Sequence, residues 1–249
     1  MIDEALIRRL QQAKRWVFFT GAGMSAESGV PTFRDAQSGL WAHFKPEELA
    51  TPQAFKRNPK MVWEWYAMRR QMIAAAKPNA GHYVISKLEK HFEVTTITQN
   101  IDNLHTIAGS TRVLELHGNI FRTKCFTDDK IVEHPLDTDD IPPLCPRCGG
   151  YVRPDVVWFG ELLPEKIFEQ SMQAASNTDV FLCIGTSGVV YPAAGLPIHA
   201  RQSGALLIDI NPETTPISEQ AAYHLQGASG PILSQLFEKV TGHFMESRT

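Results

Sequence analysis

The apolar run Trp16–Phe19 stops at Thr20 and gives way to Gly21-Ala22-Gly23-Met24-Ser25-Ala26. So short and continuous an apolar run reads as a strand buried on both faces, which needs helices on either side. The glycines after it let the backbone turn tightly and approach another chain or a ligand, in the G-x-G-x-x-A pattern of a strand-to-helix turn that binds a pyrophosphate. An equally open reading of this pattern is a glycine turn with no ligand.

The rest of the chain repeats this strand-and-helix rhythm. Ala5, Leu6 and Leu10 lie at helical spacing ahead of the first strand, and further buried strands are predicted at Val94–Thr98, Val113–His117, Val180–Ile184 and Ala205–Ile210. Helix-like segments separate most of them. The expected fold class is α/β, a Rossmann-like parallel sheet with helices on both faces.

Two stretches break the rhythm. Residues 36–90 become helical after an irregular start, with helices predicted over Pro59–Ala76 and Ala80–His91, and residues 119–154 are rich in Pro and Asp and hold three of the 4 cysteines. A loop that long is usually functional or built around a constraint. The expected organisation is a Rossmann-like domain of residues 1–35, 91–118 and 155–249. A helical insertion (36–90) and a zinc-ribbon-like insertion (119–154) make a smaller lobe.

Bulk properties narrow the classes. The 249 residues are 43% hydrophobic and 20% charged with a formal net charge of −3, which gives no global electrostatic reason to expect nucleic acid or an anionic membrane as partner. No signal-peptide pattern opens the chain and no apolar run reaches the roughly eighteen residues of a membrane span. A cytoplasmic monomer is expected, with its cysteines reduced, buried or bound to metal.

A dehydrogenase would place an acidic residue about twenty positions past the glycine turn, closing a second strand. That region reads Leu40-Trp41-Ala42-His43-Phe44, followed by Pro46, and Glu47 and Glu48 do not sit in a strand setting. Other blocks carry more weight. GAGMSAESGVPTFR (Gly21–Arg34), TQNIDNLH (Thr98–His105), LHG (Leu116–Gly118), VWFGE (Val157–Glu161) and GTS (Gly185–Ser187) occur in order across most of the chain, and together they resemble the signature of the sirtuin family.

The resemblance implies an NAD-dependent deacylase that consumes NAD as a co-substrate. In the implied reaction the acyl-lysine oxygen attacks the carbon bearing nicotinamide, and the acyl group ends on the ribose as O-acyl-ADP-ribose. His117 is implied as the base, a role that suits a side chain titrating near neutrality. Asn100 and Asp102 are implied at the nicotinamide side and as catalytic partners. Gly21, Ala22, Gly23, Glu27, Thr32, Phe33, Arg34, Gln99, Ile101, Gly185, Thr186, Ser187, Asn211 and Ala228 complete the implied cofactor set, Phe33 and Arg34 as a mobile flap. Val156, Trp158, Phe159 and Gly160 are implied to line a cleft where acylated lysine in a protein or peptide adds as an extended strand. The alternative on the same fold is ADP-ribosyl transfer or NAD hydrolysis.

Tyr66 and Arg69, at i, i+3 in a helix-like stretch, share one face. A guanidinium and a phenol can together hold a carboxylate, though an amphipathic surface helix has the same spacing. Y-x-x-R resembles the motif of class III sirtuins, which implies removal of succinyl and malonyl groups, with acetyl as a second substrate, and Ala50 matches a small residue that leaves room for the longer acyl chain.

Cys145-Pro146-Arg147-Cys148-Gly149-Gly150 reads as a zinc knuckle, with Cys125 as a third thiolate. The family pattern puts a fourth cysteine at position 128, where this chain has Asp128. Asp128 or His134 could complete a structural Zn2+ site; a ribbon folding without metal is the other reading. Cys183 sits in an apolar strand and reads as core.

Overall fold

The computed structural model describes residues 2–31, 46–133 and 141–243. Helix α1 (Glu4–Gln12) is capped by Asp3, whose side chain accepts from the Leu6 N–H, and it leads into β1 (Arg15–Thr20). The chain continues as α2 (Gly23–Ala26), α3 (Pro46–Leu49), α4 (Pro52–Arg57), α5 (Pro59–Ala75), α6 (Ala80–Leu88), β2 (Glu93–Thr98), α7 (Leu104–Ile107), β3 (Val113–Glu115), β4 (Gly118–Cys125) and β5 (Val152–Val156). It closes with α8 (Glu165–Ser176), β6 (Val180–Ile184), α9 (Leu196–Gln202), β7 (Leu206–Asn211), β8 (Tyr223–Gln226) and α10 (Ser229–Thr241). No helix among the described residues is long and apolar enough to cross a membrane.

The main sheet has 6 strands in the order β3-β2-β1-β6-β7-β8, paired in parallel throughout. Its apolar runs are continuous because both faces are covered. Trp16, Phe18, Leu182, Ile184, Ile208 and Ile210 pack with Leu6, Val84 and Leu233 from α1, α6 and α10. The residues between them, Val17, Phe19, Phe181, Cys183 and Leu207, point the other way onto Ala175, Leu196 and Ala200 of α8 and α9. Each such large apolar side chain contributes about 1.5–3 kcal/mol when taken fully out of water. Cys183 is core, as its apolar setting predicts.

A second, antiparallel sheet pairs β4 with β5. Against it and α5 lies a separate apolar cluster of Phe55, Val62, Trp65, Tyr66, Ile120, Val156 and Trp158. The third predicted strand is shorter than Val113–His117. It ends at Glu115 because the chain turns through Gly118 at φ 79°, where an added Cβ would meet the Asp155 carbonyl oxygen. Strands β4, β5 and β8 carry no clear sequence alternation, since a register shift between Asn119 and Thr123 breaks the period in β4.

One buried cation organises the segment leaving β5. The Arg153 side chain is 1% exposed, lies 3.3 Å from the Trp158 ring centroid, donates to the Val156 carbonyl and pairs with Glu161 through both carboxylate oxygens. Glu161 also accepts from the Trp158 N–H at 2.8 Å. Replacing Arg153 leaves Glu161 without its main counter-charge. We expect Arg153→Met to lower unfolding free energy by about 3–5 kcal/mol in urea titrations. Arg153→Met with Glu161→Gln should lose less than Arg153→Met alone; equal losses would show that the pair is not the source.

Candidate active site

The strand order reverses direction at β1: β2 and β3 build outward on one side, β6, β7 and β8 on the other. In open parallel sheets the crevice beyond the carboxyl ends at such a point is where ligands bind. Here the crevice is made by backbone crossing backbone. Gly21 N–H donates to Ile184 O and Gly23 N–H to Gly185 O, both at 2.9 Å. A Cβ on Gly23 would lie 2.7 Å from Gly185 Cα, and Gly185 itself, at φ 57°, would clash with Gly23 and Met24 at 2.5 Å. This is why the turn and the GTS block are both glycine at the crossing.

Side chains then stitch the rim. Gln99, just past β2, donates from its amide to Thr186 Oγ1 at 2.9 Å, and Asn211, ending β7, donates to the Thr186 carbonyl at 2.9 Å. Thr186 is thereby held from both halves of the sheet, with Ser187 half-buried next to it. Ala22 is half-buried at the start of α2, and Ile101 is half-buried against the cluster around Trp158.

Asn100 and Asp102 share one network. The Asn100 amide donates to the Gly21 carbonyl at 3.0 Å and to Ser25 Oγ at 3.1 Å, while the Ser25 hydroxyl donates to Asp102 at 2.6 Å. Asp102 also accepts from the Leu104 N–H and is 4% exposed. Burial raises its pKa above the ordinary carboxylate value, against the opposing pull of the Ser25 and Leu104 hydrogen bonds. Ser25, inside the glycine-turn block, was not singled out from sequence; its spacing from Gly21 gives no hint of an Asp102 partner.

His117 stands half-buried between β3 and β4, with Nδ1 2.9 Å from the Gln99 carbonyl oxygen. A carbonyl only accepts, so Nδ1 carries the proton and Nε2 of the neutral ring keeps its lone pair. Burial lowers the His117 pKa below the ordinary value, with the Gln99 bond acting in the opposite direction. The arrangement suits a base that is unprotonated at neutral pH.

Glu27 turns to the far end of the chain. Its carboxylate accepts from Ser229 Oγ at 3.0 Å and Gly230 N at 2.7 Å, capping α10, whose N-cap residue is Ala228. Thr32, Phe33 and Arg34 lie outside the described residues.

On the other side of His117, Val157 N–H bonds the His117 carbonyl and Phe159 N–H bonds the Ala50 carbonyl, each at 2.9 Å. The segment Val156–Gly160 therefore runs between the His117 turn and Ala50, with Trp158 buried and Phe159 and Gly160 exposed. Trp158 Nε1 donates to the Tyr66 hydroxyl at 2.9 Å, and Arg69, 9% exposed, lies 5.1 Å from the Trp65 ring. Burial pushes the Tyr66 phenol well above its usual value, although the Arg69 charge pulls it down. Tyr66 and Arg69 are thus interior residues of α5, in contrast to the exposed arginine of a surface helix.

The Sγ atoms of Cys125, Cys145 and Cys148 lie within 4.8 Å of one another, over Trp63, Val132 and Val152. The knuckle is closed by Cys145 N–H to Gly150 O at 2.7 Å and by Gly149 at φ 72°. Three thiolates at this separation fit zinc. Asp128 is turned toward Arg147, 3.2 Å away, and the Lys130 N–H; His134 lies outside the described residues.

Known proteins share both the sequence and the fold. The Sir2 family profile matches residues 21–192. An NAD-dependent protein deacylase of Aquifex aeolicus is 50% identical over 224 residues, covering 89% of this chain and 93% of that one. NAD-dependent protein deacylase 2 of Pyrobaculum aerophilum is 49% identical over 232 residues, 93% of each chain. A Sir2 homologue solved as an NAD complex superposes with a TM-score of 0.90 at 42% identity, covering 97% of this chain and 95% of that one. A Sir2–p53 peptide–NAD+ structure does so at 0.83 and 30% identity, covering 96% and 99%. A fold and a sequence that agree over nearly the whole length lead to one conclusion: this chain belongs to the Sir2 family.

Proposed function

We propose that the chain is an NAD-dependent protein-lysine deacylase that removes succinyl and malonyl groups and also acetyl, releasing nicotinamide and O-acyl-ADP-ribose. The observation that carries the reading is the His117 ring, fixed by the Gln99 carbonyl with its Nε2 lone pair available beside the switch-point crevice. When bound, NAD supplies an electrophilic ribose carbon and a leaving group. Residues 36–90 and 119–154 form the small lobe, and the cleft between it and the sheet takes the acyl-lysine.

The chain's own groups divide the work. Gly21, Gly23 and Gly185 give the pyrophosphate close backbone approach, with Ala22, Thr186 and Ser187 around it and Asn211 and Ala228 toward the adenosine. Asn100 and Asp102, held through Ser25, orient the nicotinamide end. Gln99 stands by the ribose, Ile101 walls the pocket, and Phe33 and Arg34, following Thr32, shield the sugar. Glu27 acts indirectly, by fixing α10 beneath Ala228. His117 Nε2 accepts a ribose hydroxyl proton.

Acyl choice rests on α5. The Tyr66 oxygen already accepts from Trp158, so its hydrogen remains to be donated. Arg69 supplies the positive charge and Ala50 the room. Charge-assisted hydrogen bonds of this kind are worth about 1.5–3 kcal/mol, enough to prefer an acyl group ending in carboxylate. The same site accepts acetyl, which does not need the arginine.

Mass-spectrometric turnover of one peptide carrying acetyl-lysine or succinyl-lysine, with and without NAD, tests the reading. NAD-dependent loss of succinyl that vanishes in His117→Ala is expected, and Arg69→Met should reduce kcat/KM for succinyl by roughly tenfold or more while sparing acetyl. Unchanged succinyl preference would remove Tyr66 and Arg69 from acyl recognition, and NAD consumption without acyl loss would favour ADP-ribosyl transfer or NAD hydrolysis.

Because burial lowers the His117 pKa, the unprotonated base persists into mild acid. The acid limb of the deacylation pH profile is expected below about 6.5, the ordinary histidine value; a limb at or above it contradicts this environment.

Zinc, held by Cys125, Cys145 and Cys148, is structural. Metal analysis should find about one zinc per chain, and Cys148→Ser or chelation should lower Tm by at least about 5 °C. An unchanged Tm after verified metal removal would assign a ribbon that folds without metal.

A further inference from the structure

Two histidines are sealed behind the turn that carries Asn100. His82 on α6 is fully buried, His105 on α7 is 2% exposed, and their ring centroids are 4.8 Å apart with planes at 56°. Among the described residues, His82 Nε2 and His105 Nδ1 have no hydrogen-bond partner. Two such deficits side by side would each cost about 1–3 kcal/mol if left unmet.

The proton positions follow from the bonds these rings do make. Asn79 N–H donates to His82 Nδ1 at 3.3 Å, so that nitrogen holds a lone pair and Nε2 holds the proton. The Thr20 hydroxyl donates to Thr98 Oγ1 at 2.9 Å, so Thr20 Oγ1, 3.0 Å from His105 Nε2, must accept from it. That puts the proton of His105 on Nε2 and the lone pair on Nδ1. Both rings are neutral: burial lowers His82 to about 4 and His105 well below its ordinary value. One unpartnered nitrogen is therefore a donor and the other an acceptor, on neighbouring rings.

We propose that His82 and His105 complete one directional hydrogen-bond relay from Asn79 through both rings to Thr20 and Thr98, closed between the rings directly or across one water, and that His105 thereby positions the Asn100 turn. The relay ends on Thr98 Oγ1, and that oxygen also accepts the Asn100 N–H at 3.0 Å, so it holds the backbone of the residue assigned to the nicotinamide side. The Asn79 amide also donates to the Met24 carbonyl and Ser28 Oγ, so the same chain of bonds ties α6 to the glycine turn. The functional consequence rests on the deacylase reading; the relay itself does not.

Two measurements test it. Long-range 1H–15N NMR of the histidine rings at pH 7 should show His82 and His105 as neutral Nε2–H tautomers; a protonated ring or an Nδ1–H tautomer at either would overturn the relay, whatever the enzyme does. In activity assays, His105→Leu removes both bonds, whereas His105→Gln keeps an amide donor for Thr20. Nicotinamide exchange should fall about tenfold in His105→Leu, as for one lost buried hydrogen bond, and less in His105→Gln. ADP-ribose, which lacks nicotinamide, should bind both variants within about twofold of the parent chain. A parallel loss of ADP-ribose affinity would make His105 merely structural, and unchanged nicotinamide exchange would discard the positioning role. Should His105→Leu not fold, His105→Gln and the tautomers decide. Failure of the parent chain to deacylate any peptide would sink the proposed function while leaving the tautomer result intact.

Discussion

Everything around the crevice depends on two backbones approaching more closely than any side chain allows. Gly21 and Gly23 bond to Ile184 and Gly185 across the switch point. Once that contact is made, β1 and β6 stand in register, and the residues just past each strand end converge on one rim. Gln99 and Asn211 then reach Thr186 from opposite halves of the sheet. The site is thus a product of strand order, and its side chains need only short reaches to meet.

The second ordering principle is the treatment of buried polarity. Asn100, Ser25 and Asp102 form a chain in which each donor has an acceptor, and His117 is locked by a main-chain carbonyl. On the other wall, Arg153 and Glu161 pull the Val156–Glu161 segment into a fixed shape, and Trp158 links it to Tyr66. A cleft whose walls are held in this way loses little conformational entropy when occupied.

Much of the parallel sheet was legible from sequence because its strands, buried on both faces, appear as unbroken apolar runs. Val180–Ile184 is read to the residue, and α5 nearly so. Strands β4, β5 and β8 were not legible: a register shift, a buried arginine and an edge position remove the period that betrays a strand. The proposed site residues stand out as motifs, through resemblance more than through chemistry. What no motif shows is partnership. That Ser25 faces Asp102, that Glu27 caps a distant helix, and that Asp128 faces Arg147 are consequences of tertiary packing with no local imprint.

The Glu27 contact has a bearing on synthesis. The carboxylate that follows the glycine turn is satisfied by Ser229 and Gly230, 202 and 203 residues further along the chain. Contacts of such sequence separation close late and slow folding. A chain emerging from the ribosome therefore exposes its glycine turn long before α10 exists to anchor it. Until it does, the Glu27 carboxylate has neither Ser229 nor Gly230 to accept from.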